Sequence, residues 1–527
     1  MQSNVQIVGN TLQIVFDRWT PENYQLFLKC KKLPEYHLDY NHEADSYLLR
    51  THARFASIIS PQMTFQPSSG LPFAEHLFDY QRYFAGVALD AERFAVWADT
   101  GLGKTNIGLE FARQVAARTS GRVLIITPLN ILEQWRDEAR RWFGLELDRI
   151  ESREHLRQWC AAGDDGRVGI VNPDKFIPRA GENQKINECN RLAGVVLDES
   201  SLLKSGGGTI KWALIHSCKG VQCKLSLTAT PAPNDTMEYA SQGSFLEKLV
   251  SEGDILWTYF TRTKDGGYVV KDHAREAFYR FMSSWSVYLR NPARYGFADN
   301  LKDLPAPEVY EHEVKPTPEQ MRQVSSLPGA AGQLQFWRGE KLGVVDRSRF
   351  NQLAKGFLYG DGRRAERIPS NKPDTVADLV TGDSFCGHQV LVWTLFDEET
   401  EILAELLKPR VKNLQILTGK VKKTDRPAII EDFRKGNCPV LITRARMLGY
   451  GLNFQNCTSM VFSGFDDSFE AMYQAIRRAY RYGQTKSVRV HIPVIRELEG
   501  AIWQNVRRSR QRSSAMPRLW RIAISGR

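Results

Sequence analysis

The segment Ala98-Asp99-Thr100-Gly101-Leu102-Gly103-Lys104-Thr105 lies between an apolar run, Phe94 to Trp97, and a helix-forming run, Thr105 to Ala112. A strand, a glycine-rich loop and a helix in that order commit a chain to an α/β layer with the loop at the carboxyl end of the strand. Such a loop lets backbone N–H groups approach phosphate oxygens, and the helix N-terminus adds partial positive charge. Lys104 then reaches the terminal phosphates, while Thr105 offers its hydroxyl to Mg²⁺. Thr100, Gly101, Leu102 and Gly103 supply the cradle. The full pattern begins with glycine where this chain has Ala98, an exchange that should spare phosphate binding.

The 527 residues allow three or so domains with well-buried cores. Apolar runs are strand-sized, and Met1 to Asn4 lacks the basic and apolar regions of a signal peptide. We therefore expect a soluble cytoplasmic protein without a membrane span. Eight scattered cysteines include no C-x-x-C pair, which argues against zinc and against a disulfide framework. The net charge of +11 is uneven: residues 500–527 hold seven arginines and no acidic residue. Arg507, Arg508, Arg510 and Arg512 are thus candidate contacts to a phosphate backbone, the alternative being a solvated basic end.

In chain order, Val5–Val8 and Leu12–Phe16 read as short strands around Gly9-Asn10, and Thr20-Pro21 starts a helix. The segment from Pro61 to Pro72 reads as a linker. Gln81 follows shortly ahead of the loop; its amide carries the donor and the acceptor that reading an adenine edge requires. Strand-then-helix units come next, the pattern of a parallel sheet covered on both faces. Thr127 and Asn172 stand at the ends of two of these strands. A further strand ends in Asp198-Glu199: the aspartate can hold Mg²⁺ through water, and the glutamate can orient and deprotonate an attacking water. Thr228 and Thr230 close this half. A mainly helical, aromatic-rich stretch leads to a second series of strands without a phosphate loop of its own. Near its end, Gln474, Arg478 and Arg481 share one face if their segment is a helix.

These pieces stand in the order of a superfamily 2 helicase-type motor, and in detail the chain resembles the Snf2-like branch over about residues 75 to 500. Gln81 matches the adenine-reading motif, Gly101 to Thr105 the Walker A loop, Asp198-Glu199 the Walker B box, and Thr228 to Pro231 the motif linking ATP to movement. Lys204 and Asn234 fall where that branch carries them. Gly449 to Gln455, with Gly451 and Asn453, is similar to motif V. Gln474, Arg478, Arg481, Gly483 and Gln484 are similar to motif VI. Ser200-Ser201 departs from the usual Ala/Gly-His, which puts the bond from the acidic box to the Thr228 region in question.

The resemblance implies two RecA-like parallel-sheet lobes in tandem, with a small N-terminal α+β module and a helical segment between the lobes. The expected boundaries are 1–70 for the accessory module, 71–240 for the first lobe, 241–387 for the mainly helical inter-lobe region, 388–500 for the second lobe and 501–527 for the basic tail. It further implies ATP and Mg²⁺ as cofactors, Arg478 and Arg481 as finger arginines, Gln474 and Gly451 as coupling residues, and nucleic acid near Thr127, Asn172 and Asn453. Duplex DNA is the favoured partner of a chain acting as a monomer, with replication, repair or recombination proteins beside it. Three functions stay open: translocation on duplex DNA, strand separation on DNA or RNA, and a nucleotide-gated scaffold that hydrolyses little.

Overall fold

The computed structural model describes residues 4–507 apart from 18, 61–62, 64, 66–70, 179–184, 205–207, 233–237, 250, 263–267, 299–304, 327–343, 361–363, 386, 423–424, 445–453, 467–468, 481–483 and 485. The chain divides into two units, one reaching to Asp299 and one spanning Asn300–Gln511.

The first unit opens with β1 (Asn4–Val8), β2 (Thr11–Phe16), β3 (His37–Asn41) and β4 (Ser46–His52), an antiparallel sheet ordered β1-β2-β4-β3. Alternation along β2 turns Leu12, Ile14 and Phe16 inward against Cys30, Leu33 and Leu49. The module is tied to the rest of its unit by Arg54. Its guanidinium lies over the rings of Phe55 and Phe94 at 4.6 and 4.9 Å and donates to the carbonyls of Ser283 and Ser284. Burial pushes Arg54 down to about 10.

Next come β5 (Arg93–Ala98), β6 (Val123–Ile126), β7 (Leu147–Arg149), β8 (Val168–Val171), β9 (Gly194–Leu197) and β10 (Cys223–Leu227). A small hairpin, β11 (Phe260–Arg262) with β12 (Tyr268–Val270), precedes β13 (Ser286–Leu289). Seven of these strands form an all-parallel sheet ordered β13-β5-β10-β9-β6-β8-β7. Parallel strands buried on both faces need near-continuous apolar runs, which Val123–Ile126 and Gly194–Leu197 are.

The second unit holds β14 (Glu308–Glu313), a hairpin of β15 (Phe357–Tyr359) and β16 (Ala365–Arg367), then β17 (Val390–Thr394), β18 (Gln415–Leu417), β19 (Val440–Arg444), β20 (Ser459–Phe462) and β21 (Arg489–Val494). Its parallel sheet is ordered β14-β21-β20-β17-β19-β18. The two RecA-like sheets in tandem are the expected architecture. The span 241–387 is not only helical, however, for it supplies β13 to the first sheet and β14 to the second.

Within the second unit a fully buried ionic cluster joins two helices and the turn after a third. The Glu499 carboxylate, on helix 496–507, accepts from Lys355 Nζ and Lys372 Nζ, each at 2.7 Å, and all three side chains are at most 1% exposed. The lysines hold Glu499 below the usual carboxylate range, whereas burial pushes Lys372 from its usual 10.5 to about 8. Glu499→Gln strands two buried ammonium groups and should destabilise this unit by about 3–5 kcal/mol in denaturant titration of the full chain. Because folded Lys372 releases its proton before unfolded lysine does, it makes stability rise with pH between about 8 and 10.5 and withholds that gain below 8. The rise should be absent in Lys372→Met.

Candidate active site

Strand register gathers the chemistry at one edge of the first sheet. Leu197 pairs with Ile126 on one side and Ser226 on the other, and Leu227 pairs with Val96. The next residues, Asp198, Thr127, Thr228 and those of the loop from Asp99 onward, therefore emerge side by side at the carboxyl ends. The edge strand β13 steadies the loop: Asp99 N–H donates to Leu289 O at 2.8 Å.

Gly101 and Gly103 have φ of +89° and +69°, in the left-handed region that glycine adopts without strain. Gly103 is doubly constrained, since a Cβ there would stand 2.2 Å from Gln81 Nε2. Helix Lys104–Thr119 follows, and Lys104 Nζ donates to Ala98 O at 3.0 Å, folding the ammonium back over the loop. Thr105 is partly exposed at the first turn. This cradle has the donors that phosphates require, and its hydroxyl and neighbouring carboxylate are the hard oxygen ligands that suit Mg²⁺. Gln81 is buried; its Oε1 accepts from Phe78 N–H and its Nε2 donates to Leu102 O. Its amide is thus bonded to the loop and to its own helix start.

Asp198 is buried in a polar socket. Oδ2 accepts from Thr127 Oγ1 at 3.0 Å and Trp135 Nε1 at 2.9 Å, and Oδ1 accepts from Glu199 N–H at 2.9 Å. Burial raises its pKa, opposed chiefly by the Lys104 charge and then by the Trp135 and Thr127 bonds. These three bonds and the Lys104 charge take the place of the carboxylate's hydration. Glu199 has φ +48°, a strained conformation for a non-glycine residue.

Other expected residues are placed as follows. Thr127, expected near nucleic acid, is fully buried and spends its hydroxyl on Asp198. Asn172 is nearly buried and bonds Asp174. Thr228 and Thr230 are buried at the end of β10, and Thr230 N–H donates to Thr228 Oγ1. In the second unit, Gln474 lies on helix Phe469–Ile476, but Arg478 lies beyond it. Arg478 stands in the turn that follows, where its carbonyl accepts from Phe454 N–H at 2.8 Å. Arg477, lying over the Tyr473 and Tyr480 rings, fixes that turn. Arg507 stands 3.6 Å from Glu311, an exposed pair worth little. Gly451, Asn453, Arg481, Gly483, Asn234, Arg508, Arg510 and Arg512 lie outside the described residues, as does the Lys204 side chain.

Two residues without an expected role proved structurally central. Trp135 closes the Asp198 socket and packs so near Gly108 that a Cβ there would lie 2.6 Å from its ring. Gln242 reaches the acidic box from helix Glu238–Phe245. A buried indole N–H and a buried amide both need partners, but sequence alone does not name them. The strained backbone at Glu199 carries its own test. Glu199→Gly relaxes the left-handed residue and should leave stability equal or up to about 1–2 kcal/mol higher, while ATP turnover falls at least about 100-fold. Thermal unfolding and an ATPase assay on the same preparation check both.

Comparison with known proteins agrees with this arrangement. The helicase conserved C-terminal domain matches residues 371–483, and the type III restriction enzyme res subunit family matches residues 75–233. Protein p41 of Acyrthosiphon pisum secondary endosymbiont phage 1 is 24% identical, over 72% of this chain and 82% of its own. CHROMATIN REMODELING 20 of Arabidopsis thaliana is 23% identical over 74% of this chain, which spans 33% of that protein. Chromodomain-helicase-DNA-binding protein 1-like of Danio rerio is 22% identical over 74%, with 38% of its length spanned. The chain thus covers about a third of these longer relatives. The Sulfolobus solfataricus SWI2/SNF2 ATPase core in complex with dsDNA is 17% identical, covering 82% of this chain and 90% of that one at a TM-score of 0.40. With the phosphate loop and acidic box brought to one sheet edge, the chain is a helicase-type ATPase over residues 75–233 and 371–483, and it is similar to Snf2-like proteins.

Proposed function

We propose that the chain couples ATP hydrolysis to movement along double-stranded DNA, remodelling branched DNA or displacing bound proteins. The observation that carries the hydrolytic half is the juxtaposition of the Lys104 loop with the buried Asp198 and the strained Glu199 at one strand edge. In this reading Lys104 and the loop N–H groups bind the phosphates, and Thr105 with Asp198 holds Mg²⁺, which offsets phosphate charge. Glu199 takes the proton of the attacking water. Arg478, with Arg481, stabilises charge on the transferred phosphoryl group, and Gln81 reads adenine from the margin of the loop. Thr228, Thr230, Gln474 and Gly451 couple the nucleotide state to movement.

DNA is supported by relatives whose names describe chromatin remodelling and DNA binding, and by the seven arginines of residues 500–527. Asn172, Asn453 and the tail arginines Arg507, Arg508, Arg510 and Arg512 are the proposed backbone contacts. Thr127 acts behind the acidic box, where its hydroxyl is already engaged.

Duplex DNA should stimulate ATP turnover more than single-stranded DNA or RNA does; stronger stimulation by RNA would overturn the duplex reading, and unwinding of a forked substrate would replace translocation with strand separation. Arg478→Ala should reduce turnover by about 10³-fold or more with ATP still bound, as expected for a finger arginine; near-normal hydrolysis removes it from that role. Deleting residues after Asn505 should weaken DNA binding and flatten its salt dependence, measured by fluorescence anisotropy across a salt series.

A further inference from the structure

The buried amide of Gln242 touches two elements that the proposed mechanism treats separately. Nε2 donates to Ser200 O at 2.9 Å, directly after the Asp198-Glu199 pair. Oε1 accepts from Ser226 Oγ at 2.6 Å, on strand β10, which Thr228 and Thr230 follow. Gln242 and Ser226 are each at most 1% exposed, so no water competes for these bonds. A left-handed non-glycine residue persists only where its surroundings over-determine it. Glu199 is flanked in that way: its own N–H is bound by Asp198 Oδ1, its carbonyl accepts from Leu202 N–H, and the following carbonyl is held by Gln242.

Resting on the proposed function, we infer that Gln242 is a positioning residue that keeps Glu199 at the attacking-water position and links the acidic box to β10, the strand that Thr228 and Thr230 follow. Ser200-Ser201 carries no histidine to make that connection. The amide makes it from the helix following the threonine segment, through a backbone carbonyl that does not depend on the identity of residue 200. Its two ends use the two chemistries of one group, a donor toward the box and an acceptor toward β10, so Ser226, Gln242 and Ser200 act as one chain.

The test compares wild type, Gln242→Leu, Gln242→Glu, Ser226→Ala and the Gln242→Leu/Ser226→Ala double variant as full-length proteins. Losing a group that orients an active-site residue typically costs about 10–100-fold. Gln242→Leu should therefore lower kcat for ATP by that amount, with KM and the affinity for a fluorescent ATP analogue within about threefold of wild type. Gln242→Glu keeps the Ser226 bond but faces Ser200 O with a carboxylate, and should be equally impaired. Ser226→Ala should lose less, and the double variant should be no worse than Gln242→Leu, because both substitutions break the same chain. Wild-type kcat in either Gln242 variant overturns the inference. So does an equal loss of nucleotide affinity and thermal stability, which marks a merely structural role. If Gln242→Leu does not fold, Gln242→Glu and Ser226→Ala decide by the same readouts. Absence of ATP turnover in the wild-type protein with any nucleic acid overturns the proposed function, and this inference with it; turnover in wild type with unchanged Gln242 variants overturns this inference alone.

Discussion

Burying the Asp198 carboxylate is the constraint around which the first unit is arranged. An ion taken out of water costs several kcal/mol unless charge and hydrogen bonds replace its hydration. The replacements come from separate parts of the chain: Thr127 beyond β6, Trp135 on a neighbouring helix, the Glu199 N–H, and the Lys104 charge at the start of helix Lys104–Thr119. They meet only because β6 and β9 pair with Ile126 beside Leu197 and because Gly108 lets Trp135 approach. Even so, burial still leaves the pKa raised. Lys104 therefore stands as a counter-charge to Asp198 as well as being the proposed phosphate ligand, and its removal would act on both.

The parts of the site defined by backbone demands were legible in the sequence. A loop that needs left-handed glycines before a helix shows them as Gly101 and Gly103, and a strand buried on both faces shows itself as Val195-Val196-Leu197 before Asp198-Glu199. Partnerships of buried polar groups were not legible. Trp135 and Gln242 look like ordinary helix residues until register brings their N–H groups to Asp198 and Ser200. Periodicity also failed for β13 and β14. Ser286–Leu289 is only four residues long beside an aromatic helix, and β14 reads Glu-Val-Tyr-Glu-His-Glu, an edge strand whose acidic side chains mask its alternation. The arginine segment looked helical because its spacing fits, but spacing could not reveal that Phe454 takes the Arg478 carbonyl.

The second sheet repeats the all-parallel architecture with its strand-end charge differently used. Glu399, buried beyond β17, accepts from the N–H groups of Leu395 and Phe396 and from Ser463 Oγ at 2.6 Å. Gly464 follows, where a Cβ would lie 2.6 Å from both Glu399 Oε2 and Leu395 N. Asn351 holds Phe465 O, and its neighbour Lys355 is anchored by Glu499. These polar groups are consumed in fixing the backbone that enters helix Phe469–Ile476, from which the Arg478 turn follows. The same strand-end position is thus used differently: the first unit places Asp198 beside Lys104 and the phosphate loop, and the second spends the Glu399 carboxylate on the start of its own helix and on Ser463.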